Sequence, residues 1–508
     1  MNGRTGSEDA MADVLEDENG EPISPPGLYN ARVGDLGIGP SVDGLVAEGL
    51  AVADGPTLVV IVSRSPLITG RNEGDELGAV VAAWVDPDEM FDAAGQLIVT
   101  DEEPKALTSD STRRAGVVAD VDPAATVAEW LDLPYDAGAP IERTDEPAPL
   151  DLYERYLQQR RLAVPIAAAS WGVMLLFGLA GLLALAFRRS ASPRTLAVAG
   201  ALVGSLPWLA LGLLLVGHVP SLTYATVVPS LLLIVVVGVA FTRWVEARRG
   251  IFVSVAACGA VILVILGIEA ALGWPAAATP LAGGGQLDGG RFFGMPNVEI
   301  GIVLGSAMFL AHRLRVSSGV LLLAACALVA GSPWTGSNFG AAITLFAAAG
   351  MWPAIQRRRP WWMIAVITGV TTAVGTAAVA LMHRHLTGRS THVTAFLEET
   401  DGVMGAIERQ LDRLGVGLDL IAGNPLAAIP VVGTLVLLLI VLRPWPAIAR
   451  SFEGHDAWRD AVLVILLGSV IAYLAEDTGA AAVGFAFGFA LSGLLGVSLA
   501  AARGKMSP

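Results

Sequence analysis

The sequence predicts a mainly α-helical, multi-pass membrane bundle preceded by a small α/β soluble domain. Three observations carry this. Hydrophobic residues make up 54% of the 508 positions and the mean hydropathy is +0.61, which fits a chain that turns apolar side chains toward lipid as well as inward. Charge is divided along the chain: residues 1–160 hold 32 acidic and 10 basic side chains, the remainder 15 and 22. Apolar runs of spanning length start at Leu162 and recur almost to the C-terminus.

Residues 1–25 are acidic and poor in apolar side chains, so they predict a disordered N-terminus. Residues 26–146 predict the folded α/β domain. "TLVVIVS" (57–63) and "GAVVAAWV" (78–85) have the pattern of buried strands, and "VAEGLAVA" (46–53) and "AATVAEWLDL" (124–133) read as helices. Strands alternating with helices suggest an α/β layer. Residues 147–161, "PAPLDLYERYLQQRR", read as a linker.

The domain from 162 to 508 predicts about eleven spans, near 162–187, 195–217, 221–243, 251–273, 297–312, 317–333, 338–354, 361–382, 425–442, 459–475 and 479–502. Six connections are basic, among them "RRSASPR", "RWVEARR" and "QRRRP"; they alternate with loops almost free of Arg and Lys. The positive-inside rule then places the protein in the plasma (inner) membrane with its C-terminus cytoplasmic and residues 1–160 extracytoplasmic. The loop 383–424 departs from the rule, but long loops obey it weakly. Within it Val403, Ile407, Leu411, Leu414 and Leu418 recur at helical spacing, predicting an amphipathic helix on the outer surface.

Polar residues that enter apolar runs are the candidate site. "GGGQLDGGRFFGMPNVEIG" (283–301) leads into the fifth span. Its glycines allow turns and close approach, and Arg291 is a fixed cation suited to a phosphate or carboxylate. Asn297 and Glu299 enter the membrane with the helix. An ionised residue at membrane depth costs about 2.5–3.5 kcal/mol, so Glu299 needs a partner, a proton or water, with Arg291 the first candidate. Asn338, Glu476 and Asp477 fall at span ends on the same side, as do Glu269 and His218. Together they predict an outward-facing polar cavity for an anionic or lipid-linked ligand. His383, Arg384 and His385 open the long outer loop and would serve a transferase.

Several classes are excluded or unsupported. The acidic N-terminal segment repels polyanions, so nucleic acid is not an expected partner. Cys258 and Cys326 fit no metal spacing, and there is no P-loop or dinucleotide fingerprint. The expected set of catalytic residues, metals and cofactors is therefore empty.

"LTSDSTRRAGVVADVDPAATVAEWLDLP" (107–134) resembles the C-terminal end of an alkaline-phosphatase-superfamily domain, with Asp122, Thr126 and Leu131 to Pro134 on its closing strand–helix–turn pattern. "TLVVIVSRSP" (57–66) resembles the strand that carries an Asp-His metal pair in active members. With "GRFFGMPN" and "GSNFG" in the spans, the chain resembles an uncharacterised actinobacterial membrane-protein family bearing a degenerate domain of this kind. The departures imply an inactive domain: residues 1–160 contain no histidine, and Ser63-Arg64-Ser65 stands where Asp-His is expected. The half of the fold that would carry the nucleophile is also missing. No apolar signal segment precedes the domain, so a separately encoded partner supplying that half is one expectation.

Three functions follow. The first is a non-enzymatic transport or envelope-assembly component acting on an anionic or lipid-linked substrate. The second is an integral-membrane transferase or polymerase of lipid-linked glycans. The third is a scaffold pairing with a separate phosphatase-like half. Membrane lipids are partners in all three.

Overall fold

The structure is a computed structural model. It describes residues 57–63, 79–85, 105–110, 112–114, 116–118, 122–130, 139–147, 152–281, 293–386, 415, 418, 421, 428–443, 445–476 and 479–504. The chain forms two compact units, divided between Glu154 and Arg155.

In the N-terminal unit, β1 (Thr57–Ser63) pairs antiparallel with β2 (Ala79–Val85), Val60 opposite Ala82. A second antiparallel pair joins β3 (Lys105–Ser109) to β4 (Ile141–Pro147), with a register shift between Lys105 and Leu107. Helix α1 (Asp122–Trp130) lies between β3 and β4 in sequence. Both pairings are antiparallel, and among the described residues the two strand pairs form separate two-stranded sheets rather than one layer. The helix expected at 46–53 lies outside the described residues. β4, "IERTDEP", escapes sequence reading because its side chains stay largely exposed and leave no apolar alternation.

Asp122 and Thr126 tie α1 to β3 and β4, while Leu131 to Pro134 lie outside the described residues. Asp122 is fully buried at the start of α1. Its Oδ2 accepts from the Ser109 hydroxyl at the end of β3, and its Oδ1 accepts from Ala139 N at 3.0 Å. Thr126 Oγ1 donates to Asp122 O and accepts from Ile141 N at 2.8 Å, tying α1 to β4.

The second unit is a helical bundle. Its elements are α2 (Leu152–Ala186), α3 (Pro193–Gly204), α4 (Leu206–Leu215), α5 (Tyr224–Arg249), α6 (Ile251–Ala271), α7 (Ile300–Ala311) and α8 (Val316–Gly331). They are followed by α9 (Phe339–Gln356), α10 (Trp361–Leu386), α11 (Ala428–Leu442), α12 (Pro446–Phe452), α13 (Asp456–Ala475) and α14 (Gly479–Ala502). Eight described helical segments are long and apolar enough to cross a membrane; α7, α8 and α11 are shorter apolar helices at three further expected spans. The second span is broken: α3 stops at Gly204 and Pro207 sits in the first turn of α4.

α2 already begins at Leu152, so most of the expected linker is the first turns of a 35-residue helix. The linker expectation therefore holds only for 147–151. Those turns are fastened to the bundle. Arg155 donates to Gly217 O, Gln159 donates to Pro280 O at 3.0 Å, and Gln158 Oε1 accepts from Leu222 N at 2.8 Å.

α14 is the axis of the bundle: 94% of its spanning window is buried. α7 lies against it with nearly every residue buried. Two glycines make the approach possible. A Cβ on Gly301 would stand 2.4 Å from Ala482 O and 2.6 Å from Ala486 N, and one on Gly305 would enter the Phe489 ring. Close packing of small residues substitutes for the hydrophobic effect, which does not draw helices together in lipid. Gly484 on α14 receives the Trp171 ring of α2 in the same way.

Charged groups at the end opposite the candidate site are paired. Glu246 bonds Arg243 at 2.7 Å and Arg503 at 2.8 Å, with Glu246 and Arg503 both buried. Asp460 accepts from Gln356 at 2.6 Å and Arg358 at 2.7 Å.

Candidate functional site

Five segments converge at one end of the bundle, where α4 ends, α6 ends, α7 begins, α8 meets α9, and α13 meets α14. Local sequence explains each. Pro296 opens a 3-10 turn, Asn297–Glu299, that feeds α7. Asn338 caps α9, its Oδ1 accepting from Ala341 N at 2.8 Å. Gly294 takes a φ of 92°, and its missing Cβ admits Gly336 O. That contact lets Met295 N donate to Gly336 O at 2.7 Å.

Asn338 is the hub. It is fully buried, and its Nδ2 donates to Met295 O at 3.0 Å and to Asn297 Oδ1 at 3.1 Å. Two of the six residues expected at the site are thus hydrogen-bonded to each other across 41 positions of chain. Glu476 follows α13 and is buried; its Oε1 occupies the space where a Cβ on Gly340 would sit. The first turn of α9 is therefore covered by a carboxylate, the charge that suits a helix N-terminus.

Glu269 and His218 form a pair that the sequence placed on the same side without joining them. Nε2 of His218 lies 2.5 Å from Glu269 Oε1, and Ala276 N donates to Glu269 Oε2 at 3.2 Å. Glu269 is buried, whereas His218 is 46% exposed at its side chain.

Glu299 differs from all of these. It is 1% exposed, and neither carboxyl oxygen has a hydrogen-bond partner. Among the described residues it is the one carboxyl with both oxygens buried and unmatched. Its electrostatic neighbour is the Glu269 carboxyl. A carboxyl in that setting needs a proton, a cation or water, because an unpaired buried charge costs several kcal/mol. Oε1 of Gln159 and Oγ1 of Thr279 are likewise buried without partners, and Gln159 bonds the carbonyl next to Thr279.

Backbone strain gathers at the same end. Trp274 and Ser337 are two of four described non-glycine residues with positive φ, at 61° and 47°. For a residue as bulky as Trp this conformation persists only when its surroundings impose it. Here the indole Nε1 donates to Thr335 O at 2.7 Å, locking the α6–α7 connection to the α8–α9 turn.

The arrangement corrects several expectations. Among the described residues the polar groups do not line an open cavity: Glu269, Glu299, Asn338 and Glu476 are buried, Asn297 is half-buried and His218 is exposed. His383, Arg384 and His385 belong to the last turn of α10 rather than to a loop. Oriented by the helix, His383 is fully buried with Nε2 2.9 Å from Gly331 O, a structural contact; Arg384 and His385 are exposed. Arg291 and Asp477 lie outside the described residues. So does nearly all of the expected amphipathic helix, of which Gly415, Leu418 and Ile421 are described as helical, Leu418 exposed.

The described charged and titratable groups at this end are the Glu269, Glu299 and Glu476 carboxyls, the His218 imidazole and the Arg155 guanidinium, which donates to Gly217 O. No group of three or more metal-ligating side chains is poised to hold an ion among the described residues. Two cavities lie elsewhere. One, of about 50 Å³, is lined by the α3–α4 break, Cys258, Ser492 and the Glu246–Arg503 pair; the other is a groove between α2 and α3.

No family model, curated protein or solved structure matches this chain.

Proposed function

We propose that the chain is a non-enzymatic integral membrane protein of the transport class, working through the closed polar layer at the Asn297–Asn338 end of the bundle. One observation carries this reading. The Glu299 carboxyl is buried with both oxygens unmatched, the one described carboxyl of which that holds, in the turn that feeds the short helix packed against the axis of the fold. Ionisable groups at membrane depth are expensive, and they mark ion and substrate paths more often than structural posts. The short, polar-tipped α7 fits the same reading, because irregular backbone such as the Asn297–Glu299 turn is tolerated at membrane depth where it is buried in protein or lines a cavity. On the charge rule, this end is the extracytoplasmic face of an eleven-span plasma-membrane protein.

The substrate class turns on Arg291. Three carboxyls against the single described guanidinium of Arg155 favour a proton or a cationic group. An anionic or lipid-linked envelope precursor needs Arg291 as counter-charge. Native mass spectrometry of the full chain after mild detergent extraction separates the two. A retained polyprenyl phosphate or anionic phospholipid that is lost from Arg291→Ala supports the anionic substrate. A retained cationic solute lost from Glu299→Gln supports the alternative class. No retained species in the wild type, or one indifferent to both substitutions, overturns the assignment of this layer as the binding site.

A further inference from the structure

The end of the bundle opposite Glu299 holds the cavity of about 50 Å³. The broken second span opens it: α3 stops at Gly204, Pro207 sits in the first turn of α4, and both residues line the space. Irregular backbone at membrane depth is tolerated where it lines a cavity. Glycine keeps the space clear. A Cβ on Gly204, or on Gly496 of α14, would meet nothing within 4 Å, although both residues border the cavity. A space of this size takes about three to five water-sized groups.

Its walls are rich in donors and carry an excess of positive charge. Arg243, Glu246 and Arg503 line it, two guanidiniums against one carboxylate. Both oxygens of that carboxylate are taken: Oε1 accepts from Arg503 Nη2 at 2.8 Å and Oε2 from Arg243 Nη1 at 2.7 Å. The Arg503 side chain is only 4% exposed. Its Nε lies on Leu499 O at 3.4 Å, and its Nη1 makes no hydrogen bond among the described residues. Ser492 of α14, 7% exposed, also lines the cavity, and its hydroxyl makes no hydrogen bond among the described residues. The other hydroxyls on the wall are committed to backbone, Thr242 to Gly238 O at 3.0 Å and Ser254 to Thr242 O at 2.6 Å. Ser498, farther along α14, bonds back to Leu494 O at 2.7 Å, the ordinary fate of a serine inside a helix. Next to the cavity α4 begins without a side-chain cap, so its positive dipole end adds to the same sign.

Water in the cavity would satisfy these donors but leave one positive charge over, and an uncompensated buried charge is costly. An anion answers both needs. Ser492, Gly496 and Arg503 share one face of α14, and the Arg503 side chain runs back along it to Leu499 O. Donors therefore stand at different places along the wall, which suits a ligand with more than one acceptor. Guanidinium is the side chain best matched to a planar carboxylate. We infer that this cavity binds a small carboxylate anion of about the size of acetate. Arg503 supplies the counter-charge, Ser492 supplies a hydroxyl donor, and Gly496 leaves the room. The site does not rest on the transport reading, and on the charge rule it lies at the cytoplasmic end.

Melting of the purified full chain in detergent tests this. The protein is held in sodium gluconate, whose anion is too large for the cavity, and acetate or chloride replaces gluconate at constant ionic strength. A ligand of the folded state raises the melting temperature by mass action. The expected result is a saturable rise with acetate and a smaller one with chloride, which offers no second acceptor. In Ser492→Ala the acetate concentration at half effect should increase about tenfold or more, as for one lost hydrogen bond to a charged group. Gly496→Val fills the space and should abolish the acetate effect. Melting temperatures in gluconate within a few degrees of wild type show that both variants fold. A wild type indifferent to acetate, an equal response to acetate and chloride, or an unchanged acetate response in Ser492→Ala overturns the site. None of these results bears on Glu299, so the two claims fall separately.

Discussion

Replacing Asn338 should loosen the whole end of the bundle. The side chain makes three hydrogen bonds: to Ala341 N, Met295 O and Asn297 Oδ1. Truncation to Ala removes the α9 cap, worth about 1 kcal/mol. It also leaves the buried Met295 carbonyl without the Nδ2 donor, at about 1–3 kcal/mol. The expected loss is about 2–4 kcal/mol in all. Asn338→Asp is more informative, because it keeps an acceptor for Ala341 N but cannot donate. It sets a carboxylate against two oxygens in a layer already rich in carboxyls, so it should be no better than Ala. A double-mutant cycle with Asn297→Ala isolates the amide–amide bond, with an expected coupling of about 0.5–1.5 kcal/mol. The assay is denaturation of the detergent-solubilised protein by increasing SDS, read by Trp fluorescence. Stability of Asn338→Ala within about 0.5 kcal/mol of wild type, the range of surface substitutions, would refute the reasoning, since no fully buried three-bond hub can be removed that cheaply.

Other expectations follow from the same packing. Gly301→Ala should cost about 1–3 kcal/mol, because its Cβ meets Ala482 and Ala486 backbone atoms on α14. Gly172→Ala on α2, where nothing lies within 4 Å, should be neutral or gain up to about 1 kcal/mol of helix propensity; equal melting temperatures for the two variants would contradict the α7–α14 contact. Glu299→Met should leave stability unchanged or raised in the same SDS titration while abolishing function, as expected of a group kept for work rather than folding. Arg503→Ala should cost about 1–3 kcal/mol, because Glu246 Oε1 loses its donor while Oε2 keeps Arg243, and Glu246→Gln in the same chain should recover part of it. Burial and the Arg313 guanidinium push the His455 imidazole below its ordinary value. The unfolded chain then binds the proton first, so stability should fall as pH drops through about 6.5, the ordinary His value. His455→Gln should flatten that part of the profile.

Much of the architecture was legible in composition and periodicity. Among the described residues every expected span overlaps a helix, the second one two, but eight helical segments and not eleven are long and apolar enough to cross a membrane. Asn338, Glu476 and Glu299 stood out as polar residues at the edges of such runs, although each taken singly also fits an ordinary interfacial position. Their contacts were not visible. The Asn297–Asn338 bond and the His218–Glu269 pair join segments 41 and 51 positions apart, which no local pattern encodes. His383 misled because a span of ordinary length would end before it, whereas α10 runs on to Leu386. β3 and β4 escaped because their strand character comes from pairing to each other, not from an apolar face. The strongest hint that went unused was glycine. Gly301, Gly305 and Gly340 recur near the polar end, each where a neighbour takes the place of a Cβ.

The central claim is that Glu299 is the working group of a membrane transport protein. Solid-supported-membrane recording from proteoliposomes tests it most directly. A rapid outward-face acid step should drive a transient charge displacement in the wild type. Glu299→Gln should abolish that current, and Glu246→Gln at the opposite end should keep it. A wild type with no current beyond empty liposomes, or a Glu299→Gln current equal to wild type, would contradict the account.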